Sequence, residues 1–230
     1  MSQGSNSQNV NLQLQGPMHW TAYAMDTFAA PLLSELNKAT IAGRTEAALR
    51  AHTWLAGFAL RSLFVATPVG NVAKLGFKFV RRSAATIRCY ESARIATEDF
   101  LASHNTQAPA LSKYALAVDH WEALLSQAVQ ALKCLSGMGS EKLQWFQKGD
   151  CSACERLYGL RDDSTHAEAR VSSGETQAES AFTIWMAPEG LRSKNHHVTW
   201  VELSELVDEL ASCVDVLLRS RVTSESAPPE

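Results

Sequence analysis

The chain has no long uninterrupted apolar run. Its most hydrophobic stretch, Trp54 to Val80, is broken by Arg61, Pro68, Asn71, Lys74 and Lys78. A membrane-spanning helix needs about 20 mostly apolar residues, and each central charge costs about 3 kcal/mol on insertion. The stretch therefore reads as a buried helical hairpin, and no membrane partner is expected. The N-terminal MSQGSNSQNVNLQLQG lacks the basic and apolar regions of a secretory leader. It reads as a disordered tail of residues 1–16, and the expected location is cytoplasmic. Cysteines are few and odd in number, the five being Cys89, Cys134, Cys151, Cys154 and Cys213. That is no secreted disulfide framework. The phosphate-cradling pattern G-x-x-x-x-G-K-[ST] is missing, and so is the G-x-S-x-G nucleophile elbow.

Nor is there a strong excess of one charge. The 230 residues carry 21 basic and 24 acidic side chains, a formal charge of −3, which makes no global case for nucleic acid. The distribution says more. Lys38 to Lys113 holds 11 basic residues against 4 acidic, while residues 114–230 hold 10 against 18. Such asymmetry creates a local positive field that the total hides. The 46% hydrophobic fraction is that of an ordinary globular protein. The length suits one domain, taken as residues 17–221, with a second disordered tail at 222–230.

The pattern within the domain is helical. Pro17 to Thr40 has helix formers, with Pro31 as a kink or boundary. Arg44 to Ala66 spaces Leu55, Phe58, Ala59 and Leu63 at three and four residues. Thr67-Pro68-Val69-Gly70 breaks the run. Asn71 to Ser103 is a long helical stretch, whole or in two pieces. On it Lys74, Lys78, Arg81 and Arg88 share one face, as a solvated stripe or as a track for phosphates. Ser112 to Leu135 is the strongest helix, with Leu116, His120, Ala123, Leu124, Ala128 and Leu132 along one face. A short helix is expected over Glu141 to Gln147, and Cys151 to Ala169 can be helical. Val171 to Glu179 reads as a polar loop, Ala181 to Met186 as a brief strand, and Ala187 to Gly190 as a turn. Thr199 and Glu202 form a capping box that starts a last helix running to about Arg221. The fold class is all-α: an irregular helical bundle with a short extended segment before the last helix.

The chemistry concentrates in Glu155 to Arg170, ERLYGLRDDSTHAEAR. Just before it, Cys151 and Cys154 form the chain's CxxC. Two thiols supply half a tetrahedral zinc site, and the spacing to His166, His196 or His197 matches no standard finger. No metal and no cofactor is expected, and the CxxC reads as two cysteines without a special role. His120 reads as a packing histidine. Within the cluster, Asp162 and His166 stand four apart on one side of a helix. Arg161, the polar Asp162 directly after it, and His166 downstream resemble the motif of the HEPN superfamily. That family is all-helical, and its nuclease members carry an Arg, a polar residue and a His four to six residues on.

The resemblance implies metal-independent RNA cleavage, of toxin or defence type, by a homodimer with an antitoxin or other protein partner. His166 would move the proton, Arg161 would clamp the phosphate, Asp162 would orient them, and the Lys74–Arg88 stripe would guide RNA. Such roles suit the side chains: an imidazole titrates near neutral pH and a guanidinium is planar and always charged. A second match, Arg192 and His197, lies just ahead of the last helix, whose N-terminus would favour an anion. It is the rival site. The alternative function is a non-catalytic helical protein that binds a protein partner or nucleic acid through the same surface.

Overall fold

The computed structural model describes residues 30–31, 33–64, 71–103, 109–138, 147–172 and 182–219. Within them a short 3-10 helix, Leu33–Lys38, precedes α1 (Thr45–Phe64), α2 (Asn71–Ser103), α3 (Pro109–Met138) and α4 (Ala153–Ser172). Three short strands follow, β1 (Trp185–Ala187), β2 (Gly190–Arg192) and β3 (His197–Thr199), and α5 (Trp200–Arg219) ends the described chain. The architecture is a helical bundle with a small antiparallel sheet in the order β1-β2-β3. Among the described residues, no helix is long and apolar enough to cross a membrane.

The α2–α3 pair is the spine, with far the largest interface among the described elements. Both helices are long because neither has an internal proline or a run of turn formers. Contrary to the option of two pieces, α2 is continuous. Their seam is aromatic. Trp121 is fully buried and meets Tyr90 edge-on, with ring centroids 5.6 Å apart. Its Nε1–H donates to Thr97 Oγ1 at 3.1 Å, so the indole buries its surface without orphaning its donor. The buried face of α3 runs through Tyr114, Ala117, Val118, Trp121, Leu124, Leu125, Ala128 and Leu132. Leu116 corrects the expected stripe, for it points outward at 51% exposure. The aromatic seam, rather than the leucine spacing, sets the rotation of α3.

Polar clamps fix α1 and α5 on the spine. Buried Glu91 of α2 accepts the Arg44 backbone N–H and the Thr45 hydroxyl. It thus satisfies donors that a helix start leaves open. Arg44 then grips Asp208 of α5 with two parallel hydrogen bonds of 2.7 Å. The α5 capping box forms as expected: Thr199 N–H donates to Glu202 Oε2 at 2.9 Å, and Glu202 N–H donates to Thr199 Oγ1 at 3.2 Å. Burial opposes ionisation of Glu202. The Thr199 N–H and the Arg156 guanidinium outweigh it and hold the carboxyl below its ordinary value.

The sheet exceeds the brief strand expected from the sequence. Met186, Leu191 and Val198 sit in register across it and are buried toward the core. Gly190 makes this possible. A Cβ there would lie 2.0 Å from the Val198 carbonyl oxygen, so β2 and β3 approach more closely than any side chain permits. The expected helix over Glu141 to Gln147 lies outside the described residues except at its last position. So do the two tails, most of Pro17 to Thr40 and most of the loop from Val171 to Glu179.

Candidate functional site

Helix α4 carries the site, and its start is heavily capped. Glu155 accepts the Gly149 and Cys151 N–H groups at 2.5 and 2.8 Å. Asp150 accepts the Ser152 N–H at 2.8 Å. These bonds hold Cys151 at φ 56°, the left-handed region, which costs an ordinary residue roughly 1–2 kcal/mol. Cys151 is exposed and Cys154 half-buried, and burial pushes the Cys154 thiol up. Among the described residues, no group of three or more His, Cys, Asp or Glu could hold a metal ion.

Leu157 and Leu160 of α4 are buried in the core, which turns the polar residues of the following turns outward. Arg161, Asp162 and His166 then meet on the surface. His166 Nε2 lies 3.4 Å from Asp162 Oδ1, with side-chain exposures of 54% and 50%. Arg161 Nη1 lies 3.9 Å from the same oxygen. Neither Arg161 nor His166 is buried against apolar side chains, and both converge on one carboxylate. Pairs this exposed contribute only about 0.2–1 kcal/mol to stability, so the fold gains little from assembling them.

The next residue behaves differently. Asp163 is only 7% exposed. Its Oδ2 accepts the Ser193 hydroxyl at 2.6 Å and faces His196 Nδ1 at 2.9 Å. Ser193 Oγ in turn accepts the Asn195 and His196 backbone N–H groups at 3.3 and 3.0 Å. The β2–β3 connection is thereby tied to α4 through one carboxylate. The His196 ring packs against Gly159, where a Cβ would come within 2.3 Å of its Cδ2 and Nε2. Sequence reasoning named Asp162 and His197, each one residue away from this pair. A glycine inside a helix, four residues before an aspartate, was the available signal: it marks a close approach by something else.

Arg192 and His197, the rival pair, are cross-strand partners in the sheet. Arg192 Nη2 pairs with Glu189 Oε1 at 2.6 Å. Arg192 Nε and His197 Nε2 are both covered by protein and make no hydrogen bond. Burial, reinforced by the Arg192 charge, pulls the His197 pKa below its ordinary value and favours the neutral ring. These two side chains adjoin: Arg192 Nε and His197 Nε2 are covered, and Arg192 Nη2 is held by Glu189.

Lys74, Lys78 and Arg81 are exposed along α2, with Arg88 half-buried at the end of the row. Among the described residues none of the four is in an ion pair, in contrast to Arg44, Arg50 and Arg94. The stripe lies on α2 and Arg161 and His166 on α4, and α3 packs against both helices. His120 is half-buried on α3. No protein-family model matches the chain, and no curated protein and no solved structure matches it either.

Proposed function

We propose that this protein is a metal-independent endoribonuclease whose reaction centre is Arg161, Asp162 and His166. The observation that carries the reading is their convergence on an open face of α4. Asp162 lies 3.4 Å from His166 and 3.9 Å from Arg161, and the Asp162 and His166 side chains are about half exposed. His166 moves a proton of the reacting phosphodiester, Arg161 neutralises its developing charge, and Asp162 orients both. The resemblance to the HEPN superfamily implies the same roles and adds a homodimer and a toxin or defence setting, with an antitoxin as partner.

The unpaired Lys74–Arg88 stripe supports an RNA substrate by its charge. Each phosphate contact along it adds to the salt dependence of binding. The test is incubation of the purified protein and His166→Ala with total RNA in excess chelator. Wild-type cleavage that falls about 10²–10⁴-fold in the variant is expected from loss of a general acid or base. Equal cleavage by both proteins, or none by the wild type, sinks the reading. The competing reading is a non-catalytic helical protein that binds RNA or a protein through the same surface. It predicts a salt-dependent complex with intact RNA.

A further inference from the structure

We infer that His196 is a second proton-transfer residue at this site, the general base, with Asp163 as its positioning residue; this rests on the ribonuclease reading above. His196 lies on the β2–β3 connection and Asp163 on α4, and their Nδ1 and Oδ2 atoms are 2.9 Å apart. A carboxylate at Nδ1 selects the tautomer that carries its proton there, and leaves the Nε2 lone pair as acceptor. Asp163 is 7% exposed and so held in place, whereas His196 keeps 32% of its side chain open. Among the described residues, Nε2 of His196 has no hydrogen-bond partner.

The position is right for a pair. The His196 ring packs against Gly159. His166 follows Gly159 by seven residues, which places it within roughly 20° around the helix and roughly 10 Å along it. Helical side chains lean toward the N-terminus, so His166 inclines toward His196. Two imidazoles, each set against a carboxylate, then flank one stretch of the α4 surface.

The reaction divides between them. The ribose 2′-OH gives its proton to His196 Nε2, and O2′ forms a bond to phosphorus. The P–O5′ bond breaks, and O5′ takes a proton from the imidazolium of His166. The products are a 2′,3′-cyclic phosphate and a 5′-hydroxyl, and exchange with water restores both rings. Ser193 is not the nucleophile here: its hydroxyl donates to Asp163 and its oxygen caps the Asn195 and His196 N–H groups.

The experiment compares ordinary RNA with RNA carrying a 5′-bridging sulfur, whose thiolate leaves without a proton. His196→Ala is expected to be about 10²–10⁴-fold slower on ordinary RNA and equally impaired on the sulfur substrate. His166→Ala is expected to be as slow on ordinary RNA and to recover on the sulfur substrate. His196→Gln, whose amide can still donate to Asp163 but cannot take the proton, separates chemistry from architecture and should be as slow as His196→Ala. Near-wild-type cleavage by His196→Gln, or recovery of His196→Ala on the sulfur substrate, overturns the inference alone. Absence of cleavage by the wild type on both substrates overturns the ribonuclease reading with it.

Discussion

Gly159→Ala separates what the site does from what holds the fold. The added Cβ would sit 2.3 Å from two atoms of the His196 imidazole, far inside contact distance. The helix backbone does not yield, so the ring must leave. Its departure breaks the 2.9 Å contact with Asp163, at a cost of about 1–2 kcal/mol for a partly exposed hydrogen bond to a charged group. Replacing a mid-helix glycine by alanine returns about 1 kcal/mol. The two nearly cancel. The expected melting temperature therefore stays within about 4 °C of wild type, since 1 kcal/mol moves a domain of this size by about 2–4 °C. The His196-dependent reaction should nonetheless fall toward the level of His196→Ala. The assay pairs a calorimetric melt with the cleavage rate. A variant that melts normally and cleaves at the wild-type rate refutes the placement of His196 over Gly159. A drop of more than about 10 °C refutes the energetic argument.

Further outcomes follow from the same contacts. Gly190→Ala should destabilise by at least about 1–3 kcal/mol, because its Cβ meets the Val198 carbonyl and backbone cannot turn aside as a side chain can; chemical denaturation checks this, and an unchanged midpoint contradicts it. His197 should make the fold acid-sensitive. Its folded pKa lies below 6.5 through burial, so the unfolded chain binds the proton more readily. Its contribution is full above pH 6.5 and declines as the pH falls from 6.5 toward the folded value. His197→Phe should flatten the stability profile in that window, and an unaltered slope would refute the assignment.

The helices were legible because long-range context barely competes with them. The α2 boundaries match the pattern from Asn71 to Ser103, and the capping box places the α5 start, because caps and breakers act within a few residues. Rotation was less legible. Leu116 carries the right spacing but faces water, since the Trp121–Tyr90 contact turns α3. Three-residue strands offer too little alternation to show themselves; only their burial reveals them.

The site divided in the same way. Asp162 and His166 were legible as an i, i+4 pair on one helix. Asp163 and His196 are 33 residues apart in sequence, and no local spacing joins them. The two segments considered as rivals are one neighbourhood, held together by the residues next to those singled out.

The central claim is chain cleavage at Arg161, Asp162 and His166 without a metal. The most direct measurement is the end chemistry of RNA treated with the purified protein in excess chelator. The account predicts 2′,3′-cyclic phosphate and 5′-hydroxyl ends, formed by the wild type and lost in His166→Ala. Ends of 3′-hydroxyl and 5′-phosphate, or the same cyclic ends from His166→Ala at an undiminished rate, would contradict it.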